Sequence, residues 1–284
     1  MSTSNKIKYG LKNVYVAKLT KTINEGGGYA YSYDSPKRIY GAVNLSLDAQ
    51  GESSPFYADN IVYYRTTANN GYSGTLEMAL IPDWFYEEIL GEIDDSNGVY
   101  VEKAETVPVN FALLFEFTGD VKAVRHVLYN CTATRPSLAS QTSEESVTPI
   151  TETLNISADP REDGLIKAKT NEDTDSTVYT NWYSSVYTPV GKKLTALTIS
   201  SLTLTPEFDD DKFAYTVTTT AASDTITATA ESGATATIKV NGTAITSGSS
   251  ATWTAGANLV EVTVSKDGEV DTVYTVTVTK NNAQ

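Results

Sequence analysis

The 284 residues carry 21 Lys plus Arg against 35 Asp plus Glu, a net charge of −14, which argues against a surface built to grip nucleic-acid phosphate or anionic lipid. Such a length holds one large core or two of ordinary size. Cys131 is the only cysteine, which excludes an intrachain disulfide and fits a reducing compartment. MSTSNKIKYG has no apolar leader and no apolar run approaches the roughly 18 residues of a membrane span, so a soluble, non-secreted chain is expected.

In chain order, YGLKNVYVAKL reads as a strand, NEGGGYA as a flexible loop, and GAVNLSLDAQ as a strand with Val43, Leu45 and Leu47 on a core face and Asn44, Ser46, Asp48 and Gln50 on a wet one. Next, GESSPFYADN reads as a long acidic loop tipped by Phe56, Tyr57 and Asp59. SGTLEMALI repeats the strand plan, with Leu76, Met78 and Leu80 inward and Ser73, Thr75 and Glu77 outward. IPDWFYEEILGE predicts a helix with Asp83 as N-cap, the pairs Phe85/Ile89 and Tyr86/Leu90 at i, i+4, Gly91 at the C-terminus, and an apolar stripe against a sheet. DDSNG reads as a loop, and VNFALLFEF, VKAVRHVLYN and TETLNIS as strands.

Composition changes near TPVGKK, at 188–193. Both Met and 5 of the 7 Phe lie before it, and a Thr, Ala and Val sequence follows. Two domains are expected, 1–190 and 191–284. Lys plus Arg against Asp plus Glu run 15 to 25 in the first and 6 to 10 in the second. In the second, KFAYTVTT, DTITATA, TATIKVN, LVEVTVS and TVYTVTVTK alternate at period two, with Phe213, Tyr215 and Val217 on one face and turns at Asn241-Gly242 and Asp267-Gly268. These strands predict a β-sandwich. LTALTISSLTLTPEF, FAYTVT, IKVNG, GANLVEVTVSKDG and YTVTVTK, within residues 194 to 280, resemble the bacterial cadherin-like, immunoglobulin-like β-sandwich module.

Reaction chemistry is hard to place. His126 is the only histidine, so a catalytic triad, a His-rich zinc site or a His acid-base pair must use it or do without. Five positions separate it from Cys131, which puts the two on opposite faces of a regular strand. NEGGGYA is neither a dinucleotide fingerprint nor a P-loop. The carboxylates at Asp94/Asp95, Asp173/Asp175 and Asp209 to Asp211 lack the EF-hand pattern and read as solvated loops, with a calcium site as the alternative. A carboxylate pair for glycoside hydrolysis is defined in three dimensions, and nothing singles one out. The chain is expected to be no enzyme and to use no cofactor or metal.

KYGLKNVYVAKL, SPKRIYGAVNLSLDAQGE, FYADN, PDWFYEEILGE and GDVKAVRHVLYNCTATRPS together resemble the major tail protein, or tail tube protein, of long non-contractile-tailed phages of Gram-positive hosts. The resemblance spans residues 6 to about 175. It implies a mainly β fold: a tail-tube β-sandwich with a flanking α-helix and a long stacking loop, plus a C-terminal Ig-like β-sandwich outside the tube. It also implies hexameric rings whose inner sheets join around a lumen that passes double-stranded DNA without specific binding. Other copies of the chain and the tape measure, tail terminator and distal tail proteins are the implied partners, the virion tail is the implied location, and no membrane is involved. Phe56, Tyr57, Asp59 and Asn60 are then the ring-stacking residues, the alternative being a loop whose aromatics fold back on their own domain. Asn44, Ser46, Asp48, Thr75 and Glu77 are then lumen-facing, although alternation says which face is wet and not which water it meets. Two other functions compete. One is an adhesin or glycan-binding protein stacking Trp182, Tyr183 and Trp253 on sugars. The other is a β-rich enzyme such as a polysaccharide hydrolase.

Overall fold

Residues 4–23, 29–142, 149–200 and 202–281 are described by a computed structural model. Most of the expected NEGGGYA loop lies outside them, and its last two residues, Tyr29 and Ala30, begin a strand. The chain is mainly β, as expected. It forms two compact units, one of Met1–Lys21 with Tyr31–Tyr187, the other built mainly on Thr188–Gln284.

The first unit contains β1 (Lys8–Ile23), β2 (Tyr29–Tyr33), β3 (Lys37–Ile39), β4 (Ala42–Ala49), β5 (Ser53–Ala58), β6 (Ile61–Thr67), β7 (Tyr72–Met78), β8 (Ile93–Asp94), β9 (Tyr100–Val101), β10 (Phe111–Gly119), β11 (Val124–Ala133), β12 (Glu152–Ala158) and β13 (Lys167–Lys169). Its main sheet runs β2-β1-β10-β11-β12-β7-β4, with β3 added to β1 and β13 to β11. One face buries Val14, Val16, Leu76, Met78, Phe111, Leu113, Leu128, Leu154 and Ile156, with Leu45 and Leu47 packed at the margin. Helix α1 (Asp83–Glu88) closes this core with Phe85, which meets Phe111 edge-on at 5.8 Å, and with the following Ile89 and Leu90.

Asp83 is not the N-cap. Pro82, with extended ψ of 144°, takes that position, Asp83 is the first helical residue, and no side chain caps the helix. Its acidic charge still sits in the first turn, where the helix dipole favours it. Gly91 adopts φ +79° past the end, and Glu92 N–H donates to the Tyr86 carbonyl at 2.9 Å.

Two bulges upset the expected alternation. In β4 the register passes from Ala42↔Met78 to Asn44↔Glu77, so Val43 is the extra residue and stands 54% exposed while Ala42 packs on the core. In β11, Phe111↔Cys131 and Leu113↔Leu128 show one residue more on the β11 side. That insertion puts His126 and Cys131 toward the same core face, against the parity expectation. β7 stops at Met78, where Ala79 N–H turns to the Gly41 carbonyl at 2.8 Å, so Leu80 points outward at 67% exposure and Ile81 is buried instead.

Opposite the core, the sheet is divided. Over β1, β10 and β11 it is apolar: Ala17, Ala112, Leu114, Val127 and Tyr129 pack with Trp182 and Val186. These last two follow helix α2 (Ser176–Thr180), whose N-cap Asp175 accepts from Thr177 N–H at 2.8 Å and Val178 N–H at 3.2 Å. A buried carboxylate fastens this segment. Glu116 accepts from Asn13 Nδ2 at 2.8 Å, Arg125 Nε at 3.2 Å and Tyr183 Oη at 3.2 Å, and the Arg125 guanidinium lies 3.9 Å over the Tyr179 ring.

In the second unit, β14 (Leu194–Ile199), β16 (Ser223–Ala230) and β19 (Ser249–Thr252) form one sheet. β15 (Ala214–Thr219), β17 (Thr235–Val240), β18 (Thr243–Ile245), β20 (Gly256–Ser265) and β21 (Thr272–Lys280) form the other, in the order β15-β21-β20-β17-β18. Leu197, Ile226, Val260, Val262, Tyr274 and Val276 fill the sandwich. Asn241-Gly242 makes the β17–β18 turn with φ of +48° and +81°, as a type I′ turn requires. Tyr215 and Val217 are buried, but Phe213 precedes the strand and is half exposed, meeting Tyr274 at 5.2 Å.

Candidate functional site

The stretch expected as an acidic loop is a β-hairpin. β5 pairs with β6, and Asp59 and Asn60 form the two-residue turn between Ala58 and Ile61 with φ of +51° and +62°. The β4–β7 ladder leads into it: Gln50 N–H donates to Gly71 O at 2.9 Å, Asn70 N–H to Gln50 O at 2.9 Å, and Ala68 N–H to Glu52 O at 3.1 Å. Gly51 and Gly71, at φ +137° and +92°, sit where a Cβ would fall about 2 Å from the Ala68 and Ala158 carbonyl oxygens. These are contacts that only glycine permits.

Beyond that hinge the arm leaves its large apolar side chains uncovered. Phe56, Tyr57, Ile61, Val62, Tyr63 and Tyr64 are all exposed, Tyr63 as the bulged residue at 70%. The aromatics therefore do not fold back on their own unit. An isolated two-stranded hairpin is marginally stable in water, and an edge strand reading Ile-Val-Tyr-Tyr is a pairing surface that proteins normally cover. Phe56, Tyr57, Asp59 and Asn60 lie together on this arm. Ile61, Val62, Tyr63 and Tyr64 escaped the sequence reading, although a β-branched and aromatic run after Asp-Asn is a hairpin signal.

The second feature is the bare polar part of the main sheet. Asn44 lies beside Glu77 and Thr153, Ser46 beside Thr75 and Asn155, and Asp48 beside Ser73 and Ser157, with Thr132 continuing the last row. Asn44, Ser46 and Asp48 are exposed; Thr75 and Glu77 are half-buried, with Glu77 Oε1 accepting from Thr151 Oγ1 at 2.5 Å. Thr153, Asn155 and Ser157 join the face through β12, which sequence alone could not place beside β7. No Lys or Arg occurs in β4, β7 or β12.

The residues considered for chemistry have other work. His126 stacks on Phe115 at 5.0 Å and meets Phe117 edge-on at 5.3 Å. Burial first, then the charges of Lys169, Lys167 and Lys8, lowers its pKa to about 4. Cys131 is fully buried, which pushes its thiol up, and its sulfur lies 3.9 Å from the Leu128 carbonyl. Asp95 closes the β8–β9 turn by accepting from Asn97 and Val99 N–H, and Asp175 caps α2. Asp209, Asp210 and Asp211 cluster at the surface beside Lys193 and Lys212. Trp182 and Trp253 are buried, the latter donating to Asp224 at 2.8 Å, and the half-buried Tyr183 ring stacks on Tyr15 at 4.7 Å. The rings proposed for sugar stacking are thus packed inside. A shallow cleft of about 200 Å³ lies among Leu11–Val14 and Arg38–Ala42, smaller than a typical small-molecule site of about 300 Å³ or more.

The family described as phage tail tube protein matches residues 2–207, and that described as cadherin-like β-sandwich domain matches residues 194–281. No curated protein matches the chain.

His126 sets a pH prediction. Its folded pKa of about 4 lies below the ordinary 6.5, so the unfolded chain binds the proton first. The stability this neutral ring contributes is complete above about pH 6.5 and lost as pH falls toward 4. Denaturant titrations at several pH values should show a falling stability across that window, and His126→Leu should flatten it. An unchanged slope in the variant would contradict the assignment.

Proposed function

The chain belongs to the phage tail tube protein family, and we propose that its copies close into hexameric rings that stack into the tube of a long, non-contractile tail. Proteins of this family are structural, and the chain is a virion tail component. The observation that carries the finer reading is the β5–β6 arm: six large apolar side chains on a hairpin with no core of its own. A neighbouring ring supplies the cover, with Phe56 and Tyr57 as anchors and Asp59 and Asn60 as polar partners, since aromatic anchors bury much area at little rotamer cost. The cation-free face faces the lumen and conducts DNA. Residues 1–190 form the tube domain, and the cadherin-like unit at 191–284 decorates its exterior. Tape measure, tail terminator and distal tail proteins complete the assembly.

The lumen assignment has a physical motive. Duplex DNA carries one charge per roughly 1.7 Å of axis, and a ring of cations around its path binds it through counterion release. Asp48 and Glu77 with small neutral neighbours do the opposite, and ring symmetry repeats each charge around the bore.

Electron microscopy of the concentrated or mildly heated full-length chain should show tubes of stacked six-fold rings. Phe56→Ala with Tyr57→Ala should leave monomer stability within about 0.5 kcal/mol, as exposed substitutions do, yet weaken stacking by about 2 kcal/mol or more. Free rings or short tubes are the expected image. A chain that stays monomeric throughout contradicts the assembly, and normal tubes from the double variant contradict the anchors. Asp48→Lys with Glu77→Lys should assemble normally but slow DNA delivery by tails carrying it. Delivery at the parental rate would remove the face from the lumen.

A further inference from the structure

We propose that the shallow cleft at the start of β4 is the receptor for the β5–β6 turn of a second copy, so that Arg38 of one chain meets Asp59 of the next. This inference rests on the reading of the arm as a stacking element and supplies its missing counterpart. Three observations carry it.

The first is position. The arm leaves the sheet after Ala49, at one end of β4, while Gly41 and Ala42 line the cleft at the other end. At about 3.3 Å per residue, the eight residues of β4 separate the two by about 25 Å. A copy displaced along the strand direction brings its arm to the cleft and leaves its own cleft open to a third. The contact is head-to-tail and does not close on itself, which is the symmetry a growing tube demands.

The second is charge. Lys12 and Arg38 line the cleft, and neither has a carboxylate partner among the described residues. Arg38 is held ready: its guanidinium lies 4.9 Å over the Tyr40 ring and 6.0 Å from that of Tyr15. Such cation–π contact leaves the N–H donors of the guanidinium available for a carboxylate. Asp59, exposed at the tip of the arm, carries the complementary charge.

The third is shape. The β1 register against β10 shifts between Lys12 and Tyr15, with Asn13 at φ +51°, and this irregularity opens the cleft between β1 and the β3–β4 connection. Its apolar lining comprises Leu11, Val14 and Ile39, together with Tyr40, itself 73% exposed. The space suits the side chains of a turn, with Phe56 and Tyr57 resting against the rim.

A charge exchange tests the pairing. In the full-length chain, Arg38→Glu and Asp59→Arg should each abolish tubes in electron micrographs while leaving the melting temperature near that of the parent, and the double variant should restore them. Lys12→Cys with Ile61→Cys gives a second measurement that keeps Arg38 and Asp59: oxidised tubes should run as a ladder of disulfide-linked multimers on a non-reducing gel, with the buried Cys131 taking no part. If Phe56→Ala with Tyr57→Ala blocks tubes but Arg38→Glu does not, or no ladder forms in intact tubes, the arm still stacks but its receptor is elsewhere and the proposal fails. Parental tubes from every variant would overturn the stacking role and the receptor together.

Discussion

The backbone ladder that pairs β4 with β7 does not stop where the core stops. It passes a hinge of two glycines and continues as β5 and β6, a hairpin with water on both faces. Hydrogen bonding holds such an arm in shape, but the hydrophobic effect that stabilises sheets is missing, because among the described residues no second layer covers Phe56, Tyr57, Ile61, Val62, Tyr63 and Tyr64. The arm is therefore a surface that gains free energy only when something else supplies the layer.

The body beneath it divides its main sheet into covered and bare parts. One face of the main sheet is buried beneath helix α1. The other is sealed over β1, β10 and β11 by the segment from Tyr179 to Val186, fastened through Glu116 and Arg125, and left bare over β12, β7 and β4. The bare part is short-chained, polar and free of cations, while Lys12, Lys37 and Arg38 lie on β1 and β3. Of these cations Lys37 is paired with Glu88, while Lys12 and Arg38 have no carboxylate partner among the described residues.

Much of this was legible in the sequence, and the failures share a cause. Period two identified the core strands and the wet side of Asn44, Ser46 and Asp48, but parity cannot see an inserted residue. The bulges at Val43 and in β11 moved Val43 outward and brought His126 and Cys131 to one face. Pro82 took the capping role because its own extended backbone sets the helix entry, so a side-chain rule pointed to the neighbour. Ser53, Ser54 and Pro55 concealed a strand, since a free arm has no buried face to impose alternation. Trp182 and Trp253 looked available for ligands because burial depends on partners far away in sequence, Val127 and Tyr129 for the first and Asp224 for the second. The contribution of β12 to the polar face depended likewise on pairing across the sheet.

Hydrogen–deuterium exchange on residues 53 to 67 tests the central claim most directly. In the unassembled chain the amides of the β5–β6 arm should exchange far faster than those of β10 and β11, because no packed layer resists opening. In the assembled tube the same amides should become strongly protected while the core is unchanged. Equal protection in both states would mean that the arm needs no neighbour, and rapid exchange in both would mean that no neighbour covers it.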